Sequence, residues 1–265
     1  MAASLARAGV HRFSLVDHDI LFPDNFVRHD LDWRDAGRHK ADAVASRIQM
    51  VNPKAVCEKY RQNLGGQESG GSTETLIEAL GQCDLLIDAT ANAAAFNYLS
   101  AAAVISEKPL LWAEVYSGGV GGSIARCRPG LEPDPQAVRG AIEHWWREQG
   151  TLTERPLGPY QGGPDIPAIA DDSDVTVIAA HATRLAIDTL LARQPSRFPH
   201  SVYVIGLAKG LIFSQPFETY PITLDHIAVG VGAQIDETER KAEVDRLIEL
   251  LKEYQNADSS GTAAG

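Results

Sequence analysis

The chain has 265 residues, 44% of them hydrophobic, enough for a sizeable core in one large domain or two small ones. Its 24 basic and 35 acidic residues leave a formal charge of −11, which argues against a general binder of nucleic-acid backbone. No apolar run approaches the roughly 18 residues of a membrane span, and three cysteines (Cys57, Cys83, Cys127) support neither a disulfide framework nor a four-cysteine zinc site. The opening MAASLARAGVHRF lacks the apolar stretch of a secretory signal, and a cytoplasmic protein is expected.

Residues 2–8 read as a helix, with Gly9 in the C-cap position. Residues 12–17 follow as a short strand with an acid at its carboxyl end. A helix over 40–50 places Ala41, Val44, Ala45 and Ile48 on one face and stops at Asn52-Pro53. Next come a strand over 55–60, a polar loop over 65–72, and a helix over 73–80 with Ser72 as its N-cap. Residues 84–90 form a nearly continuous apolar strand, as expected where helices cover both faces of a sheet. A helix over 93–104 and a strand over 109–115 repeat the alternation, which predicts a doubly wound, Rossmann-like, mostly parallel sheet.

After that the rhythm changes. The glycine run 118–122 reads as a turn between strands, and 130–172 as a long connector around a helix at 136–149, of the kind that forms lids. A long helix over 174–191 precedes a hairpin of 202–206 with 211–213. Residues 244–251 belong to a charged amphipathic helix, and 256–265 form a polar tail expected to be disordered.

The densest chemistry lies between Asp17 and Lys40. An acid ending the second strand of such a sheet is placed to bond ribose hydroxyls, which makes Asp17 and its neighbour Asp19 candidates. Asn25 and Arg28 occupy the following loop, where a guanidinium fork suits phosphate oxygens. Lys40 sits in the first turn of the next helix, whose amides add partial positive charge toward an anion, with Arg38 close by. Together these residues form a nucleotide site without a glycine loop.

Their order resembles the ThiF/MoeB-type activating enzymes, the group that includes ubiquitin-activating enzymes. The resemblance rests on LARAGVHRFSLVDHDILFPDNFVRH, GRHKADAVASRIQMVNP, CDLLIDATAN and KPLLWAEVYSGGVGGSIARCRPG, with DSDVTVIAAHATRLAIDTLL and YVIGLAKGLIFSQPFETYPI further on. It implies one adenylyltransferase domain over 1–255, with a nucleotide-binding half at 1–115 and a partner-binding or crossover half at 116–255. It also implies ATP and magnesium, a small ubiquitin-like or sulfur-carrier protein as partner, and a homodimer. Asp17 would hold the ribose, while Asn25, Arg28 and Lys40 would hold the triphosphate. Asp88 would bind magnesium, with Asp19 as a possible helper.

Three features depart from the pattern. The family's strand and Gly-x-Gly-x-x-Gly turn precede the segment equivalent to residues 2–8, so this sequence is expected to behave as N-terminally truncated. Ala91 stands where the family has a magnesium-binding aspartate, and residues 128–180 hold no cysteine for a thioester. Cys127, between Arg126 and Arg128, is the nearest candidate nucleophile, since flanking cations would lower its pKa. No histidine pair has metal spacing, so no zinc is expected. An NAD-dependent oxidoreductase is a competing reading, because an acid after the second strand also reads NAD ribose. A catalytically impaired fragment or scaffold of the activating-enzyme type is another.

Overall fold

A computed structural model describes residues 1–64, 70–150 and 170–225, together with Ile227. The helix expected over 244–251 and the tail 256–265 lie outside the described residues, as does 151–169 of the long connector. Helix α1 (Ala2–Arg7) opens the chain and turns at Gly9, whose φ of +101° is a left-handed conformation that glycine adopts without strain. Strands β1 (Arg12–Val16) and β2 (Val56–Tyr60) pair in parallel across the crossover helix α2 (Lys40–Val51), with Phe13 opposite Cys57. Helix α3 (Gly70–Gly81) begins earlier than expected, so Ser72 lies within it and is not its N-cap.

Strands β3 (Leu86–Asp88) and β4 (Leu110–Val115) are also parallel, joined by helix α4 (Ala93–Ile105). Asn92 caps that helix, its side-chain oxygen accepting from the amides of Ala94 and Ala95. Strand β5 (Gly121–Cys127) then returns antiparallel to β4 through the expected glycine turn. Helices α5 (Pro135–Glu148) and α6 (Asp172–Leu190) follow, before strands β6 (Val202–Gly206) and β7 (Thr219–Ile222) complete a sheet of order β3-β4-β5-β6-β7.

The fold is therefore mixed α/β with parallel strand pairs and flanking helices, as expected, and its later strands are antiparallel. The second arm of the C-terminal hairpin is β7, not 211–213. Phe213 is buried and serves instead as a plug. Its ring lies so close to Gly121 and Gly206 that a Cβ at either would stand within 2.8 Å of it. The apolar run that resembled a strand is thus a side-chain lid over two strand glycines.

Alternation along β4 sends its residues to opposite faces. Leu111 packs with Ile124, Ile178, Leu185 and Ile205 beneath α6. Leu110 and Trp112 pack with Phe96, Leu99, Val138 and Trp146 beneath α4 and α5. Helices thus cover both faces, which is why 84–90 and 109–115 read as nearly unbroken apolar runs. Among the described residues, β1 and β2 form a separate two-stranded sheet and share no ladder with β3. No described helix is long and apolar enough to cross a membrane.

Candidate functional site

A cleft of about 660 Å³ opens where β1 and β3 end. Its walls come from the residues after β1, the 3-10 turn Pro23–Arg28, the start of α2, the segment after β2, the turn between β3 and α4, and the first turns of α6. Asp17, Asp19, Asn25, Arg28 and Lys40 all line it. They converge because the parallel β1–α2–β2 unit puts the carboxyl end of β1 beside the amino end of α2. Open α/β sheets bind ligands in this kind of crevice.

Local bonds fix each group. The Asp17 carboxylate accepts from the Asp19 amide at 2.8 Å, which folds the chain sharply after β1. The Asn25 side chain accepts from the Phe22 amide at 3.0 Å and closes the 3-10 turn that carries Arg28. Lys40 donates to Asp19 at 2.6 Å, and its amide donates to the Asp19 carbonyl at 2.9 Å, so strand end and helix start are stapled twice. The Lys40 bond holds the Asp19 carboxyl below its ordinary pKa. His29 is pushed the other way from a charged state, chiefly by burial and then by Lys40, so it is neutral at pH 7. Ligand atoms of Asp17, His18 and Asp19 lie within 4.8 Å of one another.

Two wall residues escaped the sequence reading. Arg47 lies two helical turns beyond Lys40 on α2, a spacing that puts both on one face, and it faces Asp30 at 3.6 Å. Gln62 lies two residues beyond the end of β2. The Arg47 Nε and Gln62 Oε1 atoms are buried without hydrogen-bond partners. Such atoms cost free energy unless something completes them. The helical period could have revealed Arg47, whereas a lone Gln after a strand carries no signal.

Three other expected residues lie elsewhere. Arg38 turns away from the cleft, bonding Asp35 at 2.6 Å and Ser46 at 2.8 Å. Asp88 lines a second cavity rather than the cleft; its carboxylate accepts from the Thr90 amide and hydroxyl at 2.8 and 2.7 Å. Burial raises the Asp88 pKa despite those bonds. Cys127 is buried on β5 and lines neither space. The expected depression of its pKa by Arg126 and Arg128 does not occur. Arg126 is turned to Asp188 and Arg128 to Glu132, while burial, followed by Glu132 and Asp134, pushes the thiol far up. Such a thiol is a poor nucleophile.

Comparison with known proteins places the cleft in a context. Among curated relatives, the chain is 30% identical over 167 residues to the sulfur carrier protein ThiS adenylyltransferase of Escherichia coli, covering 61% of each. It is 29% identical over 113 residues to the probable adenylyltransferase/sulfurtransferase MoeZ of Mycobacterium tuberculosis, covering 42% of this chain and 27% of MoeZ. The chain thus spans 27% and 61% of the length of these two relatives. Among solved structures it is similar to PaaA, with a TM-score of 0.61 at 17% identity over 84% of this chain and 68% of PaaA. Escherichia coli MccB with ATP gives 0.59 at 15% identity, over 84% and 59% of the two chains. These structural likenesses concern the fold. The ThiF family model matches residues 1–137, a stretch that contains every cleft-lining residue except those of α6. The chain belongs to the ThiF family.

Proposed function

We propose that this chain carries the ATP site of an adenylyltransferase, and that it activates the C-terminal carboxylate of a small sulfur-carrier or ubiquitin-like protein. The observation that carries the reading is the convergence of Asp17, Asn25, Arg28, Lys40 and Arg47 on one cleft at the carboxyl ends of β1 and β3. Acids and cations there serve different parts of one nucleotide. Asp17 accepts from ribose hydroxyls, as an acid ending the second strand of such a sheet does. Arg28, Lys40 and Arg47 face phosphate oxygens, with the Asn25 amide beside them. The similarity to the ThiS adenylyltransferase supports the reaction class, and the likeness to MccB with ATP agrees with the nucleotide.

The chemistry is displacement at phosphorus. A carboxylate oxygen of the partner bonds to the α-phosphorus while the bond to the bridging β-phosphate oxygen breaks, and pyrophosphate leaves. No proton moves, so the chain needs no general base. Its task is to hold the two anions together and offset their charge. Arg28 and Lys40 do this with fixed cations, and the Asp19 tether keeps the Lys40 ammonium at the amino end of α2. His29, neutral, adds no charge to be displaced. With Asp17 taken by the ribose, Asp19 beside it is the carboxylate that would hold magnesium, which takes one or two carboxylates plus substrate phosphates. Bound there, the ion would supply further neutralisation of the phosphates. Asp88, bonded by Thr90, lines the second cavity rather than the cleft and suits it less well.

The test is ATP binding by calorimetry with and without magnesium, followed by ATP–pyrophosphate exchange with a sulfur-carrier protein. Magnesium-dependent binding and carrier-dependent exchange are expected. Binding of NAD in preference to ATP would overturn the reading.

A further inference from the structure

The cleft is lined from one side to the other by residues that follow β2, β1 and β3. Strands β1 and β2 are parallel neighbours, and the Asp17 amide donates to the Tyr60 carbonyl at 3.0 Å, so the residues after Tyr60 stand beside Asp17. The Pro23–Arg28 turn packs instead on α6, which lies against β4 and β5. Arg28 thus belongs to the β3 side of Asp17, whereas Gln62, Asn63 and Leu64 belong to the β2 side.

A ribose held at Asp17 sends its base and its phosphates in opposite directions, because the carbons that carry them flank the ring oxygen. With the phosphates toward Arg28, the base falls over the end of β2. Neighbouring strands lie about 4.8 Å apart, close to the step from a ribose to its base. The end of β2 suits a base and not an anion. Its two cations, Lys59 and Arg61, are drawn to Asp42 at 3.4 and 2.7 Å. Val16 and Leu64 supply apolar surface there, each packed against the main core. The Gln62 Oε1 atom is buried in this wall without a hydrogen-bond partner.

An orphaned acceptor calls for a donor, and ATP carries few. Its phosphates only accept, and its ribose hydroxyls are taken by Asp17. The donor that remains is the 6-amino group of adenine. Guanine has a carbonyl oxygen at that ring position, which is an acceptor and would face Oε1 unpaired. We propose that the segment after β2 holds the base, and that Gln62 selects adenine by accepting from its 6-amino group. The inference rests on the adenylation reading of the cleft and adds the residue that fixes which nucleotide is used. Selectivity follows because the wrong base leaves a buried polar group unmatched.

Titration calorimetry with magnesium compares ATP, GTP and purine riboside triphosphate, which is ATP without its 6-amino group. The parent protein is expected to bind ATP at least tenfold more tightly than either of the others. Gln62→Leu is expected to bring ATP and purine riboside triphosphate to equal affinity, with no fall in Tm. Gln62→Glu keeps an acceptor oxygen and is expected to retain the preference for ATP over GTP. A Gln62→Leu protein that still prefers ATP to purine riboside triphosphate would overturn the inference. So would a Gln62→Glu protein that binds ATP and GTP alike, and this variant decides if Gln62→Leu does not fold. A parent that binds all three nucleotides equally sinks the inference and leaves the adenylation reading standing. A parent that binds none of them sinks both.

Discussion

Arg28 and Lys40 carry the same charge but are held differently, and this separates their expected phenotypes. Lys40 is bonded to Asp19, so its loss also releases a carboxylate into the cleft. Arg28 ends a 3-10 turn closed by Asn25. Arg28→Ala is expected to remove a charge-assisted phosphate contact worth about 1.5–3 kcal/mol, or roughly 10- to 150-fold in ATP Kd, with little change in Tm. Titration calorimetry and a thermal melt check both, and unchanged ATP affinity would mean that the phosphates lie elsewhere. Cys127→Ser is expected to leave pyrophosphate exchange at the parent rate, because the thiol is buried on β5 away from both cavities. A fall in exchange with an unchanged Tm would contradict this. Order along the chain was enough to place Asp17, Asp19, Asn25, Arg28 and Lys40 near one another, since a parallel β–α–β unit brings a strand end to a helix start. Asp88 and Cys127 lie outside the cleft; for Asp88, period-2 alternation decides which side of a sheet a strand residue serves, and the three residues of β3 give too short a pattern to read.

At the scale of elements, β5, α6 and the turn that follows are joined by one buried network. Arg126 is wholly buried and donates to Asp188 at 3.0 Å, Thr189 at 3.3 Å, Ser196 at 3.0 Å and the Phe198 carbonyl at 3.2 Å. Removing one member of a buried pair leaves the other charge unmatched. Asp188→Ala is therefore expected to cost about 3–5 kcal/mol, read as a fall in the urea midpoint. Replacing both residues with apolar ones of similar volume is expected to cost much less. Burial alone would raise the Asp188 pKa, but bonds from Ser196, the Arg197 amide and Arg126 together bring it below its ordinary value. A depressed carboxyl contributes stability above its unfolded pKa of about 3.9 and loses it as pH falls through the lower folded value. The parent's urea midpoint should accordingly drop below about pH 4, and Asp188→Asn should flatten that drop. An equally steep acid limb in Asp188→Asn would refute the assignment. The helix α2 was legible here through its 3.6-residue period, with Ala41, Val44, Ala45 and Ile48 on one face. The start of α3 and the hairpin partner of β6 were not. A Gly-Gly-Ser opening carries no helix-start signal beyond its serine, and Leu211–Phe213 is apolar because Phe213 fills the space over two glycines.

For the molecule as a whole, the decisive feature is that the cleft lies between two sheets rather than along one. The alternation of strands and helices was readable as far as β4, and the glycine turn into β5 with it, but the pairing of β6 with β5 and β7 was not, because runs this short carry no mark of which strand they join. Strands β1 and β3 both end at the cleft, so they run the same way, yet among the described residues they share no hydrogen bonds. Met1, Ala2 and Ala3 line the same cleft at the amino end of α1. A strand feeding α1 through a tight turn would therefore also end at the cleft, parallel to β1 and β3. Laid between them, it would pair the donors and acceptors on both facing edges and merge two sheets into one. A glycine turn at its end would add amides facing the phosphates, which the side chains of Arg28, Lys40 and Arg47 do not supply. Fusing such a strand and a Gly-x-Gly-x-x-Gly turn ahead of Ala2 is thus expected to raise Tm by several degrees, since a few buried main-chain bonds at about 1 kcal/mol each are at stake. It is also expected to tighten magnesium-dependent ATP binding at least tenfold. Calorimetry of the two forms side by side measures both. Equal melting and equal ATP affinity would mean that the β1 and β3 edges are already satisfied in this chain and that the side-chain cations alone hold the triphosphate.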